Sequence, residues 1–240
     1  MVSLLKFGAT FKTTNPGRHK YSNEYIFNRY RSSKPVILDV GASDGSTALD
    51  LIQALQGGFR LYFVTDLNIS VRCGEDSRDV VYFVDCQGKC ILRASRRWLV
   101  YNAGERHLLF NVISRKLLTQ CARAGNWREV LLAQPELLGL TQSDPRVTIM
   151  TYDMFSPWRG ESPDLIKIAN VLNPSYFSDA RLTDAIRIQC ANLASDGRLL
   201  IVDNLDNLET FSVFRKTPVG MRVEYVHDGG AYASAFVPCG

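Results

Sequence analysis

One strand-loop-helix pattern constrains the fold more than any other feature of this 240-residue chain. Residues 36–40 form an apolar, β-branched run, interrupted only by Asp39, of the kind that is buried on both faces of a parallel sheet. After Gly45, apolar residues recur at helical spacing until the pair 57–58 ends the helix. A second apolar strand, residues 60–66, follows directly. Because crossovers are right-handed, the pattern predicts a β-α-β unit with parallel neighbouring strands.

Later segments extend this pattern into a larger sheet. Further buried strands are predicted at residues 146–153, 164–170 and 197–203, with a helix at 178–194 between the last two. The stretches 210–216, 221–227 and 233–237 are separated by turn residues and predict antiparallel strands. We therefore expect an α/β fold, a mostly parallel sheet with an antiparallel C-terminal edge.

The interval between the second and third buried strands is too long for a simple crossover. About 80 residues separate Asp66 from Val147, whereas a crossover unit needs about 30. This indicates an inserted hairpin and helix subdomain at about 71–140. The hairpin is predicted at 80–85 and 90–94, and the helix at 105–124.

Composition and charge narrow the class of protein. The net charge is only +4, but residues 1–34 contain seven basic residues against one acidic residue. This basic N-terminal segment is either a solvated lead-in or an attraction for an anionic partner.

The chain contains no apolar run that approaches the roughly 18 residues of a membrane span. The apolar start is broken at Lys6, too early for a signal peptide, so we expect a cytoplasmic protein. Six cysteines without a Cys-x-x-Cys pair predict reduced thiols and no metal site.

The loop 41–45 is where ligand chemistry is expected. In an open parallel sheet, ligands bind at the carboxyl ends of the strands. Gly41 and Gly45 allow a tight turn and a close approach of the backbone to a ligand. Neither the G-x-G-x-x-G fingerprint nor a phosphate loop is present, because Ser43 and Ser46 replace glycines and no Gly-Lys pair follows.

The sequence Asp39-Val-Gly41-Ala-Ser43-Asp-Gly45 resembles the first motif of class I S-adenosylmethionine-dependent methyltransferases, with Ser43 in place of the middle glycine. The resemblance covers residues 35–68 and 146–203. It implies a Rossmann-like, seven-stranded sheet and S-adenosyl-L-methionine as cofactor, with S-adenosyl-L-homocysteine as product. Residues 164–203 are also similar to chemotaxis-receptor methyltransferases, through the segment from Ala169 to Phe177.

The resemblance implies a set of cofactor contacts at successive strand ends. Asp66 is placed on the ribose hydroxyls, where a carboxylate accepts two hydrogen bonds. Asp153 is placed on the adenine amino group beside Met154, and Asn170 faces the methionine portion and the acceptor. The full implied set is Asp39, Gly41, Ala42, Ser43, Gly45, Asp66, Leu67, Asp153, Met154, Asn170 and Val171.

The acceptor is less constrained than the cofactor. The function implied by the resemblance is methyl transfer to an oxygen or nitrogen of a small metabolite or natural product. Tyr176, Asp203 and His227 are the candidate catalytic residues. The alternatives are a macromolecular methyltransferase acting on protein carboxyl groups or RNA, and a non-catalytic cofactor-binding module. The insertion, rich in arginine and aromatic residues, is a candidate lid, a homodimer surface or, less favoured, a nucleic-acid contact.

Overall fold

The computed structural model describes residues 6–7, 10–11, 16–77, 79–85, 88–101, 126–205 and 208–239. It divides the chain into two compact units. The smaller unit comprises Met1–Thr13 and Asn68–Ala133, and the larger unit comprises Thr14–Leu67 and Gln134–Gly240. Within the described ranges, no helix is long and apolar enough to cross a membrane.

The described elements are helices and strands in the larger unit and strands in the smaller one. In chain order they are β1 (Lys6–Phe7), β2 (Thr10–Phe11), α1 (Lys20–Tyr30), β3 (Val36–Val40), α2 (Ser46–Leu55), β4 (Leu61–Asp66), β5 (Ser70–Glu75), β6 (Val81–Val84), β7 (Cys90–Ala94), β8 (Leu99–Tyr101), β9 (Arg128–Leu131), α3 (Pro135–Ser143), β10 (Val147–Thr151), β11 (Leu165–Ala169), α4 (Asp179–Asn192), β12 (Arg198–Leu205), β13 (Leu208–Thr217), β14 (Gly220–His227) and a 3-10 helix (Tyr232–Phe236).

The larger unit is built on a seven-stranded sheet of order β10-β4-β3-β11-β12-β13-β14. The first five strands are parallel to one another, and β13 is antiparallel to both of its neighbours. This confirms the predicted α/β fold, with its mostly parallel sheet and antiparallel C-terminal edge. The carboxyl ends of the five parallel strands therefore lie along one edge.

Both faces of the central strands β3 and β11 are buried, which explains why these strands are nearly continuous apolar runs. Leu38 and Ile168 belong to a core cluster that also contains Leu182 and Ile186 of α4. Since side chains alternate along a strand, Asp39 and Lys167 point to the opposite face, where both are also buried. A charged pair is thus enclosed in the central strands.

The C-terminal segment 233–237 was predicted as a strand, and this prediction is wrong. Residues 232–236 form a 3-10 helix. Gly229 and Gly230 both have positive φ and turn the chain away from β14. Ala233 is then fully buried in the α4 core cluster, and the Tyr232 amide donates to Asp203. Packing and a side-chain acceptor thus replace the strand pairing.

The smaller unit contains a five-stranded antiparallel sheet of order β8-β7-β6-β5-β9, together with the separate β1-β2 pair. The strands β6 and β7 are antiparallel neighbours. Gly74 of β5 packs directly against Trp127: a Cβ added at Gly74 would lie only 2.9 Å from the indole ring. The predicted helix at 105–124 lies outside the described residues. Helix α3, within the sequence-based bounds of the insertion, belongs to the larger unit.

Candidate functional site

Polar residues end or follow four parallel strands at the carboxyl edge of the larger sheet. Asp66 is the last residue of β4, Asp153 follows β10, and Asn170 follows β11. Asp203 lies near the end of β12. Because β10, β4, β3, β11 and β12 are parallel, these residues and the loop after β3 share one edge. This edge is the candidate site.

The loop 41–45 is fixed to the end of β4 by two hydrogen bonds. The Ala42 amide donates to the Thr65 carbonyl at 2.9 Å. The Ser43 amide donates to Asp66 Oδ2, also at 2.9 Å. Ser43 has a φ of 59°, a left-handed conformation that is uncommon for a residue other than glycine. The structure therefore brings the motif loop and the strand-end carboxylate together, as the sequence predicted for a shared site.

The two motif glycines are required by the protein's own packing. Gly41 and Gly45 have φ values of 75° and 81°. A Cβ at Gly41 would lie 2.2 Å from Val171 Cγ2, and one at Gly45 would lie 2.2 Å from Leu137 Cδ2. At both positions a neighbouring side chain thus occupies the space that a Cβ would need. Val171 therefore packs directly against the backbone at Gly41.

Asp44, which sequence analysis passed over, holds the beginning of α2. Its Oδ1 accepts hydrogen bonds from the Ser46 amide at 3.1 Å and the Ser46 hydroxyl at 2.8 Å. Its Oδ2 accepts one from Gln134 Nε2 at 2.9 Å. A buried carboxylate therefore satisfies an amide of the first helical turn, which stabilises that turn.

Asp39 is committed to the protein interior and does not face the crevice as expected. Its Oδ2 accepts a hydrogen bond from the Tyr62 hydroxyl at 2.8 Å. Lys167 Nζ lies 3.7 Å from the same oxygen, and both charged side chains are almost fully buried. Burial raises the pKa of Tyr62 well above its ordinary value, and Asp39 adds to this effect. This trio is a buried support beneath the motif loop.

The residues expected around the adenine differ in exposure. Asp153 is half-buried, and its Oδ1 accepts a hydrogen bond from the Phe155 amide at 3.0 Å. Met154 was predicted to lie beside the adenine. Its side chain is instead buried in the core cluster that contains Leu182 and Ile186 of α4. Its backbone carbonyl is held by Gln189 Nε2 at 2.7 Å. Leu67 is 39% exposed directly after β4.

Asn170 is the centre of a hydrogen-bonded group that we call the asparagine cluster: Arg18, His19, Asn170 and Asn204. Asn170 Oδ1 accepts from the Asn204 amide at 2.7 Å, and its Nδ2 donates to Asn204 Oδ1 at 3.0 Å. Asn204 Nδ2 donates to the Arg18 carbonyl at 3.0 Å. His19 Nε2 lies 3.2 Å from Asn170 Nδ2. The cluster joins the ends of β11 and β12 to the segment preceding α1.

His19 is fully buried in this cluster. Burial is the largest influence lowering its pKa to about 2, followed by the charges of Lys167 and Arg18, while a hydrogen bond with Asn204 acts in the opposite direction. The imidazole is therefore neutral at physiological pH. Its Nδ1 atom is buried without a hydrogen-bond partner in the described structure.

The three catalytic candidates have different surroundings. Asp203 Oδ2 accepts a hydrogen bond from the Tyr232 amide at 2.8 Å, and burial raises the pKa of this carboxyl group. His227 stacks on Phe211 with ring centroids 5.0 Å apart. Tyr176 is 50% exposed in the loop after β11. Among the described residues, no hydrogen bond joins these three side chains into a relay.

Sequence analysis missed several members of this site. Lys167 had a readable signal, since a lysine inside the apolar strand 165–169 must be paired if it is buried. Asn204 directly follows Asp203, which was chosen as a catalytic candidate, and its position near the end of β12 was a second signal. Arg18 and His19 gave none, because nothing in a short basic segment indicates which side chain becomes buried.

Comparison with solved structures gives distant matches. No protein-family model and no curated protein sequence matches the chain. A solved structure of a proposed S-adenosyl-L-methionine-dependent methyltransferase from Methanococcus maripaludis is 14% identical with a TM-score of 0.40, and the match covers 78% of this chain and 56% of that one. The mitomycin 7-O-methyltransferase MmcR is 17% identical with a TM-score of 0.37, covering 78% and 36%.

A third match is CalS10, an amino pentose methyltransferase from Micromonospora echinaspora in a structure with bound S-adenosylmethionine. It is 13% identical with a TM-score of 0.39, and the match covers 89% of this chain and 76% of that one. All three names are those of methyltransferases. The chain spans about half of the first match and about a third of the second. Because every TM-score is below 0.5, we base the proposals below on the residues of this chain.

Proposed function

We propose that the larger unit binds S-adenosyl-L-methionine at the carboxyl edge of its sheet and transfers a methyl group to an oxygen or nitrogen of a small-molecule acceptor. The observation that carries this proposal is the hydrogen bond from the Ser43 amide to Asp66. It joins the glycine-containing loop after β3 to the acidic residue that ends β4. These are the two elements whose spacing resembles the cofactor site of class I methyltransferases.

The residues at this edge have the chemistry that such a cofactor needs. Asp66 and Asp153 are half-buried carboxylates at the ends of neighbouring strands, β4 and β10. Carboxylate oxygens accept hydrogen bonds from a vicinal diol and from an exocyclic amino group. Ala42 follows β3 and Asn170 follows β11, so both lie at this same edge, on the neighbouring strands of the sheet. When bound, the cofactor supplies a methyl group activated by the positive charge of its sulfonium.

The protein's task is then to place the acceptor and to receive its proton. In-line placement can contribute much of the rate enhancement of such a transfer. The reciprocal Asn170–Asn204 pair fixes the ends of β11 and β12 and so makes this part of the edge rigid. Asp203 is our candidate base for a hydroxyl acceptor, because burial raises its pKa and makes its carboxylate more basic than a solvated one. We place Tyr176 and His227 along the acceptor.

The remaining expectations about partners and location stay predictions. A cytoplasmic location, a homodimer formed through the insertion, and a lid function for the insertion belong to this group. An RNA or protein acceptor, motivated by the basic N-terminal segment, would replace the small molecule in the proposal without changing its cofactor site.

Calorimetric titration with S-adenosyl-L-homocysteine tests the proposal. Asp66→Asn keeps one oxygen that can accept the Ser43 amide but replaces the other acceptor with a donor. We expect this variant to bind S-adenosyl-L-homocysteine about 10- to 100-fold more weakly than the wild type does, because it loses hydrogen bonds to a charged group. Asp184→Asn removes an exposed carboxylate on α4 and serves as the matched control, with unchanged affinity expected.

A wild-type protein that binds neither S-adenosyl-L-homocysteine nor S-adenosyl-L-methionine would contradict the proposal. Equal affinities for the wild type and Asp66→Asn would contradict the assigned site. Binding followed by a screen in which no acceptor is methylated would favour the non-catalytic module. Radiolabelled methyl transfer to a small molecule, with loss of turnover in Asp203→Asn, is the expected result.

A further inference from the structure

Arg18 lies in a segment that is fixed at the candidate site from both sides. The Gly17 amide donates to Asp50 Oδ2 of α2 at 2.7 Å. On the other side, the Arg18 carbonyl accepts from Asn204 Nδ2, and the next residue, His19, contacts Asn170. The backbone of Arg18 is therefore held between α2 and the ends of β11 and β12.

The guanidinium of Arg18 is only partly compensated in this position. Its Nε atom is buried and has no hydrogen-bond partner. Within the described part of the chain, Arg18 forms no salt bridge. Burial lowers its pKa, and the nearby charge of Asp44 opposes this effect. Asp44 itself is already hydrogen-bonded to Ser46 and Gln134.

A partly buried guanidinium with an unsatisfied donor is costly unless an anion pairs with it. Its planar fork of donors matches a carboxylate, which it can bind through two parallel hydrogen bonds. In the proposed function, the methionine portion of the cofactor faces Asn170, which belongs to the same cluster as Arg18. That portion carries a carboxylate.

We infer that Arg18, fixed beside Asn170 and Asn204, binds the carboxylate of the amino-acid portion of the cofactor. This inference rests on the proposed function and adds to it a cofactor-binding residue outside the motifs that the sequence displays. It also assigns a role to the basic N-terminal segment: one of its cations is a ligand-binding group, held in place by hydrogen bonds of its own backbone and its neighbour.

The test compares two ligands that differ only in the carboxylate: S-adenosyl-L-homocysteine and its decarboxylated analogue, S-adenosyl-3-thiopropylamine. We expect the wild type to prefer S-adenosyl-L-homocysteine by at least about 10-fold in calorimetric titration. Arg18→Gln should weaken S-adenosyl-L-homocysteine binding by about 10- to 100-fold and abolish this preference. The affinity for the analogue should change less than about twofold. Lys20→Gln removes an exposed cation two residues away and should leave both affinities unchanged.

The outcomes separate this inference from the function on which it rests. If the wild type binds both ligands equally well, Arg18 does not bind a carboxylate, and this comparison needs no variant to fold. If Arg18→Gln weakens both ligands equally, its role is structural and the inference is overturned. If the wild type binds neither ligand, the proposed function itself fails. Arg18→Lys, which keeps the charge but not the fork, should show an intermediate preference.

Discussion

Replacing His19 with glutamine should reduce the acid sensitivity of the larger unit. The imidazole has an ordinary pKa of 6.5, and the folded protein lowers it to about 2 by burial next to Lys167 and Arg18. Between these two values the unfolded chain binds the proton and the folded chain does not. The stability contributed by the neutral imidazole is therefore complete above about pH 7.5 and is lost as the pH falls below 6.5.

The magnitude follows from the two pKa values. At pH 5.0 the folded protein leaves His19 neutral, while protonation stabilises the unfolded chain by about 2 kcal/mol, which is 1.36 kcal/mol for each of roughly 1.5 pH units. At pH 7.5 the same contribution is below about 0.1 kcal/mol. His19→Gln should therefore lose about 2 kcal/mol less than the wild type between these two pH values.

Urea unfolding followed by tryptophan fluorescence can isolate this effect. Trp158 belongs to the larger unit, whereas Trp98 and Trp127 belong to the smaller one. Trp98→Phe and Trp127→Phe are therefore introduced into every protein compared, so that the signal comes from Trp158. Carboxylates that titrate in this range do so in the wild type and the variant alike, and their effects cancel in the comparison.

The matched control is His227→Gln, which removes the partly exposed imidazole that stacks on Phe211 and leaves His19 in place. The pH dependence of this control should resemble that of the wild type. The contradicting result is a difference between His19→Gln and the wild type of less than about 0.5 kcal/mol in the stability lost between pH 7.5 and 5.0, which is a quarter of the expected value. In that case His19 is not held neutral by its surroundings, and the reasoning about the asparagine cluster is refuted.

Two single variants, each with a matching double variant, test the packing around the site in the same urea assay. Lys167→Met should destabilise the larger unit by about 3–5 kcal/mol, because it leaves the Asp39 carboxylate buried without its cation. The double variant Asp39→Asn with Lys167→Met should be destabilised far less. A double variant whose loss of stability equals the sum of the losses in the two single variants would contradict a coupled pair. Gly41→Ala should cost about 2–4 kcal/mol, from left-handed backbone strain and the contact with Val171. Adding Val171→Ala should relieve the contact, so a double variant as costly as the sum of the singles would show that this contact is absent.

The seven strands of the larger sheet and helices α2 and α4 could be predicted because each of them carries its own local signal, whereas helices α1 and α3 were not predicted. The strands β3 and β11 are short apolar runs, and helix α4 has apolar residues at helical spacing. In contrast, residues 233–237 have the composition of a strand but form a 3-10 helix. Their conformation is set by the turn at Gly229 and Gly230 and by burial of Ala233, and neither is encoded within the segment itself.

The candidate site was predictable to the extent that it consists of strand ends. Asp66, Asp153 and Asn170 could be placed along one edge, since parallel strands bring their carboxyl ends together. The sequence could not show that Asp39 accepts a hydrogen bond from Tyr62 and pairs with Lys167 in the interior. It also could not show that Met154 turns into the core, because alternation along a strand gives no direction for residues in the loop that follows it.

By itself, the sequence determined a mostly parallel α/β unit with polar strand ends and a glycine-containing loop, because periodicity and local conformational preference act over a few neighbouring residues. Only the tertiary structure decided which polar groups lie in the interior and which remain at the edge. His19 and Asn170 are about 150 positions apart in the chain, and Arg18 and Asn204 are farther apart still. Contacts at such separations depend on how helices and strands pack. Burial is therefore a property of the folded chain, and so are the lowered pKa of His19 and the unpaired Nε of Arg18.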